Sequence, residues 1–226
     1  MTHARAFTVM GGITLCFAAP VQAQVWNEQG DAGSLPNNAQ ITVGFGPLRD
    51  IRGNAPAANN VDLYAIRIMN PQDFSATTLP PPGAPPPPPG TLRNPVLYLF
   101  DSTGRGVYAN DNVEPQNPES LLPAHHPLGP TSPGLYFLGI APFDNRPLGR
   151  NSLIFGNIGG PGIFGADRTN PVDAWRSTPL NDQGNYRIHL TGAGFAAMPV
   201  PEPGSITFVV GLGVISLFGL RRRMRR

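Results

Sequence analysis

The sequence has no lysine; all sixteen of its basic residues are arginines. Six of them sit in the flanks: Arg5 near the start, and Arg221, Arg222, Arg223, Arg225 and Arg226 at the end. Residues 24–220 then hold ten arginines against fourteen acids, a net charge near −4. The sequence pI of about 9.0 therefore describes the flanks. A nucleic-acid partner, which needs a basic face on the folded part, is excluded. Cysteine is nearly absent as well. Cys16 is the single one, inside the N-terminal apolar run, so the rest of the chain has no disulfide, thiol nucleophile or cysteinyl metal site. A domain of this size relies on its core instead.

Helical patterning is also scarce. The 27 glycines and 28 prolines are about a quarter of the chain, and proline removes a backbone donor and clashes with the preceding turn. Catalytic signatures are missing too. There is no Gly-x-Ser-x-Gly elbow and no His-Glu-x-x-His. The run from Gly156 to Gly165 lacks the Lys-Ser/Thr of a phosphate loop. The histidines are His3, His125, His126 and His189. His189 alternates to the same strand face as Arg187. An exported hydrolase using His125, His126 or His189 as base is the alternative to a non-catalytic protein.

What is present is strand patterning. Runs with period two occur at 39–45, 62–69, 74–78, 95–101, 106–110, 134–141 and 185–191, rich in Val, Ile, Tyr or Phe and bounded by turn residues. They predict an all-β fold, a β-sandwich or jelly-roll-like domain with proline- and glycine-rich loops. Residues 80–90 hold eight prolines and read as a stiff polyproline arm. Residues 149–170 read as a long surface loop, with Phe155 and Phe164 tucked against the sandwich edge.

The flanks read as addresses. Arg5, an apolar stretch and the small residues before Ala23 predict a signal peptide over 1–23, a short helix cleaved after Ala23. The folded domain is then 24–198, and 199–226 forms the tail. In the tail, Pro201-Glu202-Pro203 precedes an uncharged stretch at 205–220 and the arginine cluster. That stretch predicts a single transmembrane helix of roughly 24 Å, with the arginines on the cytoplasmic side.

This tripartite tail resembles the PEP-CTERM sorting signal of Gram-negative bacteria that make extracellular polysaccharide. The resemblance implies roles in sorting and processing for Pro201, Glu202, Pro203, Arg221, Arg222 and Arg223. It implies an exosortase and the inner membrane as partners, with the span a transient anchor before the cell surface or extracellular matrix. In the middle, Asp62-Leu63-Tyr64-Ala65-Ile66-Arg67-Ile68, Leu97-Tyr98-Leu99-Phe100-Asp101 and Gly134-Leu135-Tyr136-Phe137-Leu138 resemble the bacterial pre-peptidase C-terminal type of β-sandwich over residues 27–141.

The expected function is a non-catalytic exported surface or matrix protein, extended to carbohydrate binding if Trp26, Trp175, Tyr108 or Phe143 stack on sugars of the polysaccharide. No cofactor and no metal site is assigned. The acidic turns make Asp62, Asp101, Asn110 and Asp111 a candidate set for calcium, whose oxygen preference they meet. Ordinary turn chemistry accounts for the same residues.

Overall fold

The computed structural model describes residues 24–57, 60–85, 88, 90–156, 158–177 and 182–199. The expected signal segment, the span at 205–220 and the arginine cluster lie outside the described residues. Fifteen strands follow one another, with no helix among the described residues. They begin with β1 (Val25–Asn27), β2 (Gln40–Ile41), β3 (Asp50–Ala55), β4 (Asp62–Ile68) and β5 (Ser75–Thr77). Next come β6 (Pro95–Asp101), β7 (Gly106–Asn110), β8 (Leu121–Leu122), β9 (Gly134–Pro142) and β10 (Arg146–Gly149). The last are β11 (Ser152–Leu153), β12 (Ile163–Gly165), β13 (Ala174–Arg176), β14 (Gly184–Thr191) and β15 (Ala193–Phe195).

Three sheets result. A five-stranded sheet runs β1-β3-β14-β5-β8, and a seven-stranded sheet runs β12-β7-β6-β9-β4-β15 with β2 beside β4. A three-stranded sheet runs β11-β10-β13. The pairings are antiparallel except β1 with β3 and β2 with β4.

The seven-stranded sheet is buried on both faces, and its sequence shows why. In β6, Leu97 and Leu99 point one way while Val96, Tyr98 and Phe100 point the other, all essentially inaccessible. A strand sandwiched on both sides reads as a continuous apolar run rather than an alternating one. One face, with Tyr64, Ile66, Ile68, Leu97, Leu99 and Leu138, packs on Ile51, Ile188 and Leu190 of the five-stranded sheet. The other, with Leu63, Ala65, Tyr98, Phe100 and Phe137, packs on Ile154, Phe155, Ile158 and Val172. Tyr98, Phe100, Phe155 and Trp175 form an edge-to-face aromatic cluster there, Phe100 to Phe155 at 5.8 Å and Tyr98 to Trp175 at 5.4 Å.

Residues 149–170 are thus not the surface loop expected from their glycine content. They supply β11, β12 and the buried Ile154, Phe155 and Ile158, and they cover the second core. β3 was not expected either. Its Arg52, Gly53 and Asn54 lack strand character, and pairing with β14 on one side and β1 on the other overrides that.

Both ends of the described chain run against residues 42–50. The Gln24 carbonyl accepts the backbone N–H groups of Arg49 and Asp50 at 2.8 and 3.2 Å. At the other end, residues 193–197 run alongside 42–48. Leu48 donates to Ala193, Gly44 donates to Ala197, and Ala197 donates to Thr42, each at 3.0 Å.

Candidate functional site

Asp62 opens β4 on the face turned toward the five-stranded sheet, and its side chain is wholly buried. Oδ1 accepts the Asn60 amide at 2.7 Å, and Oδ2 accepts the Tyr186 hydroxyl at 2.5 Å. The Tyr186 oxygen lies 2.6 Å from that of Tyr64, so a carboxyl and two phenols form one chain across the inter-sheet core. Gly53 on β3, the register partner of Tyr186, makes room for it. A Cβ there would stand 2.3 Å from the Tyr186 hydroxyl and 2.6 Å from a Glu28 carboxylate oxygen.

Glu28, just past β1, accepts backbone N–H groups from Ala32 at 3.2 Å and Asn54 at 2.8 Å, one on each oxygen. Glu28, Asp31 and Asp62 each bring a carboxylate oxygen within 4.8 Å of the other two. Burial pushes the Asp62 carboxyl up to about 7, against the Tyr186 hydrogen bond, and the charge of Glu28 adds to the rise. Glu28 is also raised, by burial first, while its backbone donors pull it back. Oxygen donors of this kind suit a divalent cation. Both oxygens of Glu28 and of Asp62 already accept protein hydrogen bonds, and it is burial, with the charges of Glu28 and Asp31 alongside, that favours a proton on Asp62 over its hydrogen bonds from Tyr186 and Asn60.

The four residues of the expected calcium set do not meet. Across the seven-stranded sheet Asp62 faces Ile140, Ile140 faces Leu97, and Leu97 faces Asn110. Three strand spacings separate Asp62 from Asn110 by about 14 Å. Asp101 lies toward the opposite end of the strands, facing Tyr136. There Asp101 organises its own turn, its Oδ1 accepting the Thr103 amide, the Thr103 hydroxyl and the Arg105 amide at 2.8, 2.6 and 3.0 Å.

Asn110 ties strands together, donating to the Asn112 and Gly162 carbonyls and accepting the Leu121 amide. Asp111 is buried, with Oδ2 accepting the Gly160 amide at 2.9 Å, and burial raises its pKa. Its Oδ1 has no hydrogen-bond partner among the described residues. Of the set, only Asp62 joins a carboxylate cluster, and its neighbours Glu28 and Asp31 carry no spacing motif that the sequence would reveal.

The histidines separate similarly. Asp50 holds Arg187 through two bonds of 3.0 Å and His189 Nδ1 at 2.7 Å, on the outer face where β14 alternates away from the core. Burial, followed by the Arg187 charge, lowers the His189 pKa, while Asp50 opposes this. His125 lies 3.8 Å from Asp73, and His126 accepts the Leu128 amide and stacks on Tyr108. No described serine, threonine or tyrosine hydroxyl is hydrogen-bonded to any of these three.

The four aromatic residues considered for sugar stacking serve packing. Tyr108 is buried, and Trp26, Trp175 and Phe143 are half-buried against the two cores. Trp26 donates to Gln40 and Trp175 to the Ser34 carbonyl, both at 2.7 Å.

The exposed apolar residues gather elsewhere. Ile41, Val43 and Phe45 alternate outward beside β4, with Thr42 buried between the first two. With Met69 and Met198 they are five of the seven large hydrophobic residues exposed among those described. Phe45, Met69 and Met198 line a groove of about 750 Å³ with Pro47, Arg49 and Arg67. The covering layer that buries Leu63 and Ala65 does not extend to Arg67 and Met69. Beyond Met198 the chain continues into the Pro-Glu-Pro tail.

That tail decides the comparison with known families. Residues 199–223 match the PEP-CTERM protein-sorting motif. The motif spans the Pro-Glu-Pro, the uncharged stretch and the first three terminal arginines. It implies an exported, membrane-anchored precursor that an exosortase processes. No curated protein matches the chain. The PEP-CTERM motif thus follows an all-β domain whose last described strand, β15, delivers the chain beside the exposed groove.

Proposed function

We propose that the protein is a non-catalytic component of the cell surface or extracellular matrix. Residues 1–23 would direct export, 205–220 would hold the precursor in the inner membrane, and an exosortase would cut near Pro201–Pro203. The single observation that carries this reading is the sorting motif at 199–223, attached directly to a folded domain. The non-catalytic part draws on the histidines. His189 is clamped by Asp50 beside Arg187, and His125 and His126 contact no hydroxyl nucleophile among the described residues. The domain is of the pre-peptidase C-terminal type in this proposal, supported by β4, β9 and β6, which carry the segments of the resemblance, lying side by side. Because Trp26, Tyr108, Phe143 and Trp175 are used in packing, contact with extracellular polysaccharide would run through polar groups rather than stacked rings.

The test is intact-mass measurement of the protein from its native host, with and without the exosortase gene. The surface form is expected to lack residues 1–23 and the segment after the Pro-Glu-Pro. Without exosortase the arginine-terminated tail should remain and the protein should stay in the membrane. A cytoplasmic chain that keeps residues 1–23 overturns the proposal. The alternative, an exported hydrolase, draws on the 2.7 Å contact of His189 with Asp50. Hydrolysis of an ester or peptide substrate that is lost in His189→Gln would favour it.

A further inference from the structure

We propose that the apolar groove beside the tail is a membrane-seating face, resting on an anionic phospholipid surface while the precursor is anchored. The inference rests on reading 205–220 as a membrane span. Three observations support a lipid surface as the occupant.

The first is distance. Six residues, hence seven steps of the chain, separate Met198 from Ser205, so at most about 25 Å of chain lies between the groove and the start of the span. The second is composition. Phe45, Met69 and Met198 are 62, 60 and 75 % exposed, a concentration of unpartnered apolar side chains unusual for a water-facing surface. The third is charge. Among the groove's lining residues Arg49 and Arg67 are the only charged ones, a balance that suits anionic headgroups. Apolar side chains entering the interface with arginines at headgroup level is a recurrent way for a protein to lie on a bilayer.

The test uses the full chain with Cys16→Ser, reconstituted in phosphatidylcholine–phosphatidylglycerol vesicles. Single cysteines replace Phe45, Arg93 or Val209 and carry an environment-sensitive fluorophore, read with spin-labelled quencher lipids. Arg93 is exposed and follows Leu92, whose N–H bonds to Asn185 near the start of β14, at the far end of the sandwich. Phe45 is exposed, so its replacement leaves both cores intact, which circular dichroism will verify.

Expected are loss of emission at 45 and 209 and none at 93, with the loss at 45 reduced in Arg67→Gln or without phosphatidylglycerol. Quenching at 209 but not at 45 overturns the seating face and leaves the span standing. No quenching at 209 overturns the span and the inference with it. A blue-shifted label at 45 that lipids do not quench means a protein occupant, the tail or a second copy, and likewise overturns it.

Discussion

Tyr186 donates its hydroxyl to the Asp62 carboxylate at 2.5 Å, inside the core that joins the two large sheets. A carboxyl buried there holds its proton to about pH 7, against an ordinary value of 3.8. The folded protein therefore binds more protons than the unfolded chain over that window. Stability is expected to fall as pH rises from about 4 to 7 and to level off above it, by on the order of a few kcal/mol. Asp62→Asn should flatten this slope and be the more stable protein at pH 8. Urea titrations at four pH values will show it, and an unchanged slope would mean that Asp62 is ionised in the native state.

The ion pair on the outer face works in the other direction. The His189 pKa lies below its ordinary 6.5, so the unfolded chain takes up the proton first and stability is lost as pH falls through the histidine range. With Asp62→Asn as background, the remaining rise of stability with pH should disappear in His189→Gln. Asp50→Asn is expected to cost about 1–3 kcal/mol, since it removes charge-assisted bonds to both Arg187 and His189.

Phe155→Ala is expected to destabilise the protein by about 3–5 kcal/mol, because the ring fills the second core against Tyr98 and Phe100. It should also expose residues 149–170 to protease well below the concentration of denaturant that unfolds the wild type. Phe45→Ala, at the exposed groove, should change stability by less than about 0.5 kcal/mol. Equal losses in the two variants would return 149–170 to the status of a surface loop.

Gly53→Ala places a methyl group against the Tyr186 hydroxyl and the Glu28 carboxylate, a collision expected to cost about 1–3 kcal/mol. Gly159→Ala, with open space around it and no left-handed backbone, should stay within about 0.5 kcal/mol of wild type. Melting curves of the two variants side by side are sufficient.

The parts of the fold legible in the sequence were those where local pattern and burial agree. β6 and β7 occupy the ranges their Val, Leu and Tyr runs predict, and β4, β9 and β14 differ by a residue at one end. β3 was hidden because its glycine is required by a tyrosine on the neighbouring strand, a demand invisible before the strands are paired. The third layer was hidden for a similar reason. Its glycines and prolines obscure Ile154, Phe155 and Ile158, whose burial comes from a sheet far away in sequence. At the site, Asp62 was singled out for the wrong neighbours. Asp101 serves its own turn and Asp111 holds the distant Gly160 amide, whereas Glu28 and Asp31 reach Asp62 only because β1 lies against β3. The pairing of His189 with Arg187 on one face, by contrast, follows from strand alternation alone.

Gln24 and the 193–198 segment meet at the same end of the sandwich, one bonded to Arg49 and the other flanking the groove that Arg49 lines. In the proposed precursor the domain would behave like a lantern hung from a cord at its base, with that end kept toward the membrane until exosortase cuts. The opposite pole carries the turn after β9 and the start of β14. A peptide tag inserted beside Gly90, whose carbonyl accepts the Asn185 amide at that pole, should then be displayed on intact cells.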